Sequence, residues 1–420
     1  MEPVNILLLS LHYPYPLDHG GSIRTFNLLR FLAARHRVDL VTFADGRGDC
    51  VGLDILTELC RSVQVVPNEK PRHNRVRRAV TFLSNKPRSI LLERSPAMAR
   101  AVDSAVATGD HDVVLVEWLW LSQYAEAHHS IPRVLDDINA EAAMAERLLR
   151  EQPNTGLSGI RQRLSLEKVR RYERQAVRRF DRTVVVSEVD RGKLISLGGD
   201  GEKISVVANG VDVAATAFQA YPVDPDHIVY PGSLTYQPNR DACLYFVEHV
   251  LPKIREQKPA TRFSITGRLL AVTPDRLKYA QGVELLGYVD DVTPVVGSAA
   301  VCVVPLRQGG GTRLKILEAM ALGTPVVSTS VGAEGLAVED GKHLLLADDP
   351  DALALAVISL MDDGALRQRL ALAGRALVEH SYSWEASGQR LEAVLSAASQ
   401  PTGSSGKRSM TPVVDSRLKD

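Results

Sequence analysis

Short apolar runs of strand length alternate with longer amphipathic stretches along almost the whole chain, and this alternation lapses once and then restarts. Runs at 4–11, 38–43, 63–66, 113–116, 134–135, 183–187 and 204–207 are separated by helical patterns, beginning with one from Ile23 to Ala34. Runs this uniformly apolar suit strands buried on both faces, as in parallel sheets whose crossovers are helices. The order implies a doubly wound parallel sheet. Ala208-Asn209-Gly210-Val211-Asp212 then leads into a segment of little periodicity, which marks a hinge. Strands at 227–230, 262–266, 283–287, 300–304 and 325–327 repeat the pattern, with a helix expected at 240–256 and three more at 351–360, 365–380 and 384–397. The expected fold class is therefore α/β, with two Rossmann-like doubly wound parallel-sheet domains facing a central cleft. The domains are 1–208 and 209–380, followed by a helix at 381–398 packing back on the first domain and a disordered, Pro/Gly/Ser/Lys-rich tail at 399–420. A chain of 420 residues suits two cores better than one.

Ligands of such sheets bind beyond the carboxyl ends of the strands. One segment there has the composition for it: Gly309-Gly310-Gly311-Thr312-Arg313 opens a helix near Gly311, Gly323 fits its C-cap, and Thr324-Pro325 starts the next strand. Three glycines let backbone N–H groups approach an anion closely, and the unpaired amides of a first helical turn carry partial positive charge. A diphosphate can bind there without a metal. Arg313 and Lys315 add full charges in that turn. Glu318, two turns in, is placed to accept hydrogen bonds from ribose hydroxyls if the ligand is a nucleotide.

Fifty basic and fifty acidic side chains leave no net charge, so no global field argues for nucleic acid. Distribution says more. Arginines gather at Arg72, Arg75, Arg77, Arg78 and Arg88, and again from Arg161 to Arg182, where Leu164, Leu166, Val169, Tyr172, Ala176 and Val177 interleave in the manner of an amphipathic helix. Such a helix suits an anionic membrane surface; a solvated face with ordinary ion pairs is the alternative. Cys50, Cys60, Cys243 and Cys302 have neither metal-ligand nor disulfide-framework spacing, so reduced thiols and no metal are expected. The apolar run at 4–11 is too short for a membrane span and lacks a preceding basic region, which excludes a signal peptide, and no other run reaches spanning length.

The motifs LEAMALGTPVV at 317–327 and VVSTSVGAEGL at 326–336 resemble the donor domain of family 4 glycosyltransferases of the GT-B fold. VVANGVD at 206–212, VVVSEVDRGKL at 184–194 and LLGYVDDV at 285–292 extend the similarity to residues 4–396. The resemblance implies an enzyme that passes a sugar from a nucleotide-diphosphate donor to an acceptor hydroxyl, with retention and without metal or cofactor. Within the family the chain most resembles bacterial polysaccharide sugar transferases, including the PEP-CTERM/exosortase-associated type. A carbohydrate or lipid-linked acceptor, and a cytoplasmic location at the inner face of the membrane, go with that likeness.

By the same resemblance, Glu318 matches the second glutamate of the E-x7-E signature, which holds the ribose. The first falls on Gly310, leaving the backbone of Gly310, Gly311 and Thr312 to meet the sugar. The lysine-glycine motif after the first donor-domain strand is also absent: Gly232-Ser233 leads instead to Asn239 and Arg240, which, with Arg313 and Lys315, are the available substitutes. Arg240 can also be read as a solvated first-turn residue, and Arg268, at a strand end, is a similar phosphate candidate. Gly20 and Gly21 resemble the family's N-domain loop near the phosphates, or else form a turn before a helix, with Arg24 one turn inside and able to reach the cleft. Tyr288 and Val289 occupy the nucleobase position, where Tyr288 reads either as stacking on the base or as a cleft-edge tyrosine with no ligand role. Asp137 is the candidate acidic group at the reacting centre, ahead of His12 and Glu117, while Asn139 also reads as a helix N-cap. Asp137, Arg313 and Lys315 are the catalytic candidates. Two other functions use the same cleft: sugar-nucleotide epimerisation, and donor binding by a non-catalytic partner subunit.

Overall fold

The computed structural model describes residues 2–17, 20–44, 50–68, 84–108, 110–151, 155–270, 273–309 and 313–400. Arg72, Arg75, Arg77, Arg78, the tail beyond 400, and Gly310, Gly311 and Thr312, which were expected to meet the sugar, lie outside the described residues.

Seven strands form the first sheet: β1 (Asn5–Ser10), β2 (Arg37–Phe43), β3 (Ser62–Val66), β4 (Val113–Glu117), β5 (Arg133–Asp136), β6 (Arg182–Val185) and β7 (Ile204–Val206), in the order 3-2-1-4-5-6-7. The second contains β8 (Asp224–Pro231), β9 (Arg262–Thr266), β10 (Val283–Gly287), β11 (Ala299–Val304), β12 (Val326–Ser328) and β13 (Leu345–Leu346), in the order 10-9-8-11-12-13. Every pairing is parallel. Each sheet reverses direction beside its first strand, between β1 and β4 and between β8 and β11. Crevices open at such switch points, beyond the carboxyl ends of the strands.

Strand β1 shows how the apolar runs are used. Ile6 and Leu8 join a cluster containing Trp384 and Leu391, whereas Leu7 and Leu9 join one containing Tyr172 and Phe180. Alternate residues point to opposite faces, so burying all four requires helices on both. The helix Trp384–Ser399 covers one face beside the helix Gly20–Ala33. Their closest approach is at Gly388, where a Cβ would lie 2.2 Å from Phe31 Cγ. Gly388→Ala should therefore overpack this seam and lower stability by about 1–3 kcal/mol, read as a lower urea midpoint with an unchanged slope.

The chain crosses between the sheets twice, and the crossings run side by side. Val211 N donates to Tyr382 O at 2.8 Å, and Trp384 N to Val211 O at 3.3 Å. The helix expected at 240–256 is broken: Gln237–Tyr245 is followed by a wide π turn, Phe246–Val250, and then Leu251–Gln257. Pro252 explains the break, since it lacks an N–H and its ring clashes with the carbonyl four residues back.

The arginine-rich segment is the helix Gly156–Arg179, paired with Glu141–Glu151 in a helical hairpin. Several of its arginines have structural partners. Arg174 Nε donates to Leu197 O at 2.7 Å and Arg178 Nε to Gly198 O at 3.0 Å, closing the carboxyl end of the helix Glu188–Ser196. Arg170 pairs with Glu146 at 2.8 Å and Glu167 at 2.6 Å. Arg163 and Arg171 carry no ion pair among the described residues. Among those residues, no helix is long and apolar enough to cross a membrane.

Candidate active site

The described helix after the glycine loop is Leu314–Leu322, so it begins later than expected, and Glu318 lies just over one turn in rather than two. Gly323 ends it in the left-handed conformation at φ 83°. Ile316, Leu317, Ala319, Met320 and Ala321 are buried, which leaves Lys315 and Glu318, three residues apart, on one face toward the cleft.

Lys315 reaches back to the end of β8. Its Nζ donates to Tyr230 Oη at 2.7 Å and Asn239 Oδ1 at 3.0 Å, and lies 4.1 Å from the centroid of the Tyr230 ring. Tyr230 Oη donates to the same Asn239 oxygen at 2.7 Å, while Asn239 Nδ2 donates to Ser233 O at 2.9 Å. A Cβ on Gly232 would lie 2.6 Å from the ammonium, so only glycine lets the lysine occupy this place. The cleft helix thus places a cation beside the loop that follows the first strand of the second sheet. Burial pushes Lys315 down to about 8. Glu318 is raised, first by burial and with Lys315 opposing. It is exposed by surface area yet densely surrounded by protein, as expected of a group in a deep open cleft.

Neighbouring strand ends are stitched through backbone. Gly232 N donates to Thr266 O at 3.2 Å, Leu234 N to Arg268 O at 2.9 Å and Gly267 N to Gly287 O at 2.7 Å. Gly267 has φ +98°, and a Cβ there would stand 2.6 Å from Ser233 N. This arrangement brings Gly232, Arg268, Tyr288 and Val289 onto adjacent loops. Arg268 and Tyr288 are exposed and Arg240 is half-buried; neither arginine has an ion pair among the described residues. Arg313 differs from its expected role. It is buried at the N-cap, where its guanidinium donates to Gly309 O at 2.9 Å and Val331 O at 3.1 Å, so it shapes the loop.

Across the cleft, Gly20 and Gly21 begin the helix Gly20–Ala33, with open space where a Cβ of Gly20 would be. Arg24 does not reach the cleft. It is wholly buried, with Nε 2.9 Å from Asp136 Oδ2, one terminal nitrogen 3.0 Å from Asp136 Oδ1 and the other on Val207 O and Asn209 Oδ1 at 2.9 and 2.7 Å. Nor does Asp137 face the cleft. It is 1% exposed and buried against Glu173 of the arginine-rich helix; burial and that second carboxyl raise it well above the usual range. Asn139 is not an N-cap either: it stands two residues ahead of Glu141, where the helix begins, and donates to that side chain at 3.2 Å. At the β1/β4 switch point His12 packs edge-on to Trp118, centroids 5.1 Å apart. Glu117 is buried there, accepts from Thr25 Oγ1 at 2.7 Å and is pushed up to about 7 by burial and Asp136.

A cavity of about 370 Å³ lies between the halves, lined by Ile138, Asn139, Met144, Arg147 and Leu148 on one side and by Gln237, Pro238, Gly309, Glu334 and Leu336 on the other. The family model described as Glycosyltransferase Family 4 matches residues 19–215, and that described as Glycosyl transferases group 1 matches residues 225–363. The chain belongs to the family 4/group 1 glycosyltransferases of the GT-B fold. Glycogen synthase of Mycobacterium tuberculosis is 28% identical to this glycosyltransferase over 265 residues, 60% of the chain and 62% of the relative. Phosphatidyl-myo-inositol mannosyltransferase of the same organism is 31% identical over 219 residues, 48% of the chain and 55% of the relative. The chain therefore spans less than two thirds of either relative. HepE of Anabaena, solved in complex with UDP, superposes with a TM-score of 0.65 at 16% identity, covering 94% of this chain and 100% of that one, which shows the shared fold.

The cluster that the structure assembles at the end of β8 contains four residues that local pattern had picked out: Gly232, Asn239, Lys315 and Glu318. Tyr230, which ties Lys315 to Asn239, was missed because it reads as one more residue of a buried strand.

Proposed function

We propose that this protein moves a sugar from a nucleotide-diphosphate donor to a hydroxyl acceptor with retention, and that protein cations rather than a metal meet the diphosphate. The observation that carries this reading is the convergence of Lys315, Asn239 and Glu318 beside the Gly232 loop. When the bond from the anomeric carbon to the diphosphate breaks, negative charge grows on the leaving oxygen. A cation already fixed in a cleft stabilises that charge without reorganising. Lys315 is such a cation, and the first-turn amides of its helix add to it. Glu318 accepts from the ribose hydroxyls, Tyr288 and Val289 border the base, and Gly20 and Gly21 approach from the opposite domain. The neighbour solved with UDP supports a nucleoside-diphosphate ligand at the level of fold. Retention rests on the family likeness.

The acceptor is carbohydrate or lipid-linked. Met144 and Leu148, both on the cavity wall, and Ile160 and Leu164 on the same helical hairpin are 45–56% exposed, an apolar surface suited to a lipid portion or to an anionic membrane face. The relative named for phosphatidyl-myo-inositol agrees with that class.

Thermal unfolding against a panel of nucleotide-diphosphate sugars tests the reading. One donor should stabilise the wild type saturably, by about 2.7 kcal/mol at a hundredfold excess over Kd, and Glu318→Ala should lose most of it. No stabilisation by any donor would overturn the reading; stabilisation without turnover, even with a suitable acceptor, would favour the partner-subunit reading, and an epimerised donor sugar without acceptor would identify an epimerase.

A further inference from the structure

We infer that Arg147 is a positioning residue that carries domain closure to the donor loop, bridging from the acceptor-side domain to the Gly309 carbonyl and the Glu334 carboxylate. This deepens the transferase reading and rests on it. Arg147 projects from the helix Glu141–Glu151; one guanidinium nitrogen is 2.5 Å from Glu334 Oε2 and the other donates to Gly309 O. The two side chains are 32% and 33% exposed, so the bridge stands in the cleft rather than in a packed core.

Gly309 is well suited to report it. Its φ is +111°, a Cβ there would lie 3.1 Å from Pro238 Cβ, and its carbonyl also accepts from Arg313 at 2.9 Å. One oxygen at the entry to the glycine loop is therefore gripped from both domains. Arg147 also lies near enough to Arg313 to oppose its charge, which Glu334 offsets. If the domains part, Arg147 withdraws and Gly309 keeps Arg313 alone. The Gly309 carbonyl then loses one of the two contacts that hold it. An exposed ion pair adds little to folding, so its effect belongs in the closure equilibrium, where differential contacts set the populations.

The test compares wild type, Arg147→Ala, Arg147→Glu, Glu334→Arg and the double charge swap, in the full chain. Small-angle X-ray scattering with UDP, GDP and ADP reads closure, steady-state kinetics read donor and acceptor KM separately, and ligand-free melting reads folding. The wild type should compact with one nucleotide. Arg147→Ala should compact less and raise donor KM at least fivefold, and by more than acceptor KM, with melting temperature unchanged; the swap should recover most of the loss in either single charge variant. Compaction and turnover of Arg147→Ala at wild-type levels would overturn the inference, as would a swap no better than its parents. A wild type that turns over without compacting would overturn it too, whereas a wild type that neither compacts nor turns over any donor would overturn the transferase reading beneath it.

Discussion

Lys315→Met should lower kcat/KM for the donor by about 10²–10³-fold, the scale of losing one preorganised transition-state contact, while leaving the fold intact. Methionine fills a similar volume, and Tyr230 Oη keeps its bond to Asn239 Oδ1, so no buried polar atom is orphaned. The pH profile makes the prediction sharper. With Lys315 at about 8, wild-type kcat/KM should fall as pH rises through 8, approaching tenfold per unit, because the free enzyme loses the cation that meets the phosphates. Its contribution to folding runs the other way. The folded value lies below the ordinary lysine value of 10.5, so between about 8 and 10.5 the unfolded chain binds more protons, and this group's contribution to stability rises with pH across that window. Activity declining where the lysine favours folding distinguishes lost charge from alkaline unfolding. Lys315→Met should lack the limb near pH 8. A variant within a few-fold of wild type, or a wild-type profile flat from pH 7 to 9.5, would remove Lys315 from the mechanism.

Every strand but the two-residue edge strand β13 could be read from the sequence, because parallel strands buried on two faces need continuous apolar runs. The cleft helix was equally plain, since a glycine loop, a C-cap glycine and the Lys315/Glu318 spacing all act locally. What stayed hidden depended on which way a strand-end charge points. Asp136 and Asp137 are adjacent, so the period of two sends them to opposite sides: one to Arg24, the other to Glu173. Nothing in the strand itself says that both sides are covered. A signal did exist on the partner helix, where Leu166, Val169, Glu173 and Ala176 follow the three-to-four spacing of a buried stripe, and all four are buried. A lone acid in that stripe calls for a buried polar partner. Arg147 carried no such mark, because its partners are 162 and 187 residues away in sequence.

The buried pair behind the N-domain loop supplies the second large effect, because Arg24→Met should destabilise the protein by about 3–5 kcal/mol. Both side chains are 0% exposed, and Asp136 accepts two bonds from the guanidinium. Removing the cation leaves a carboxylate without its countercharge and strips Val207 O and Asn209 Oδ1 of a donor. Glu117, already pushed up to about 7, loses a nearby cation as well. Desolvation makes the intact pair far less valuable than this loss suggests, so Arg24→Met/Asp136→Leu should recover much of it, and urea unfolding of the two variants measures both terms. The pair also has a positional consequence. Arg24 sits one turn inside the helix that starts at Gly20, and its other end holds the exit from β7 into the first crossing between the sheets. The start of that helix, at Gly20 and Gly21, and the crossing are thereby referenced to one buried guanidinium, so the double variant should regain stability without regaining the wild-type donor KM. Recovery of both together would make Arg24 a packing residue alone, and a single-variant loss below about 1 kcal/mol would mean that water reaches Asp136.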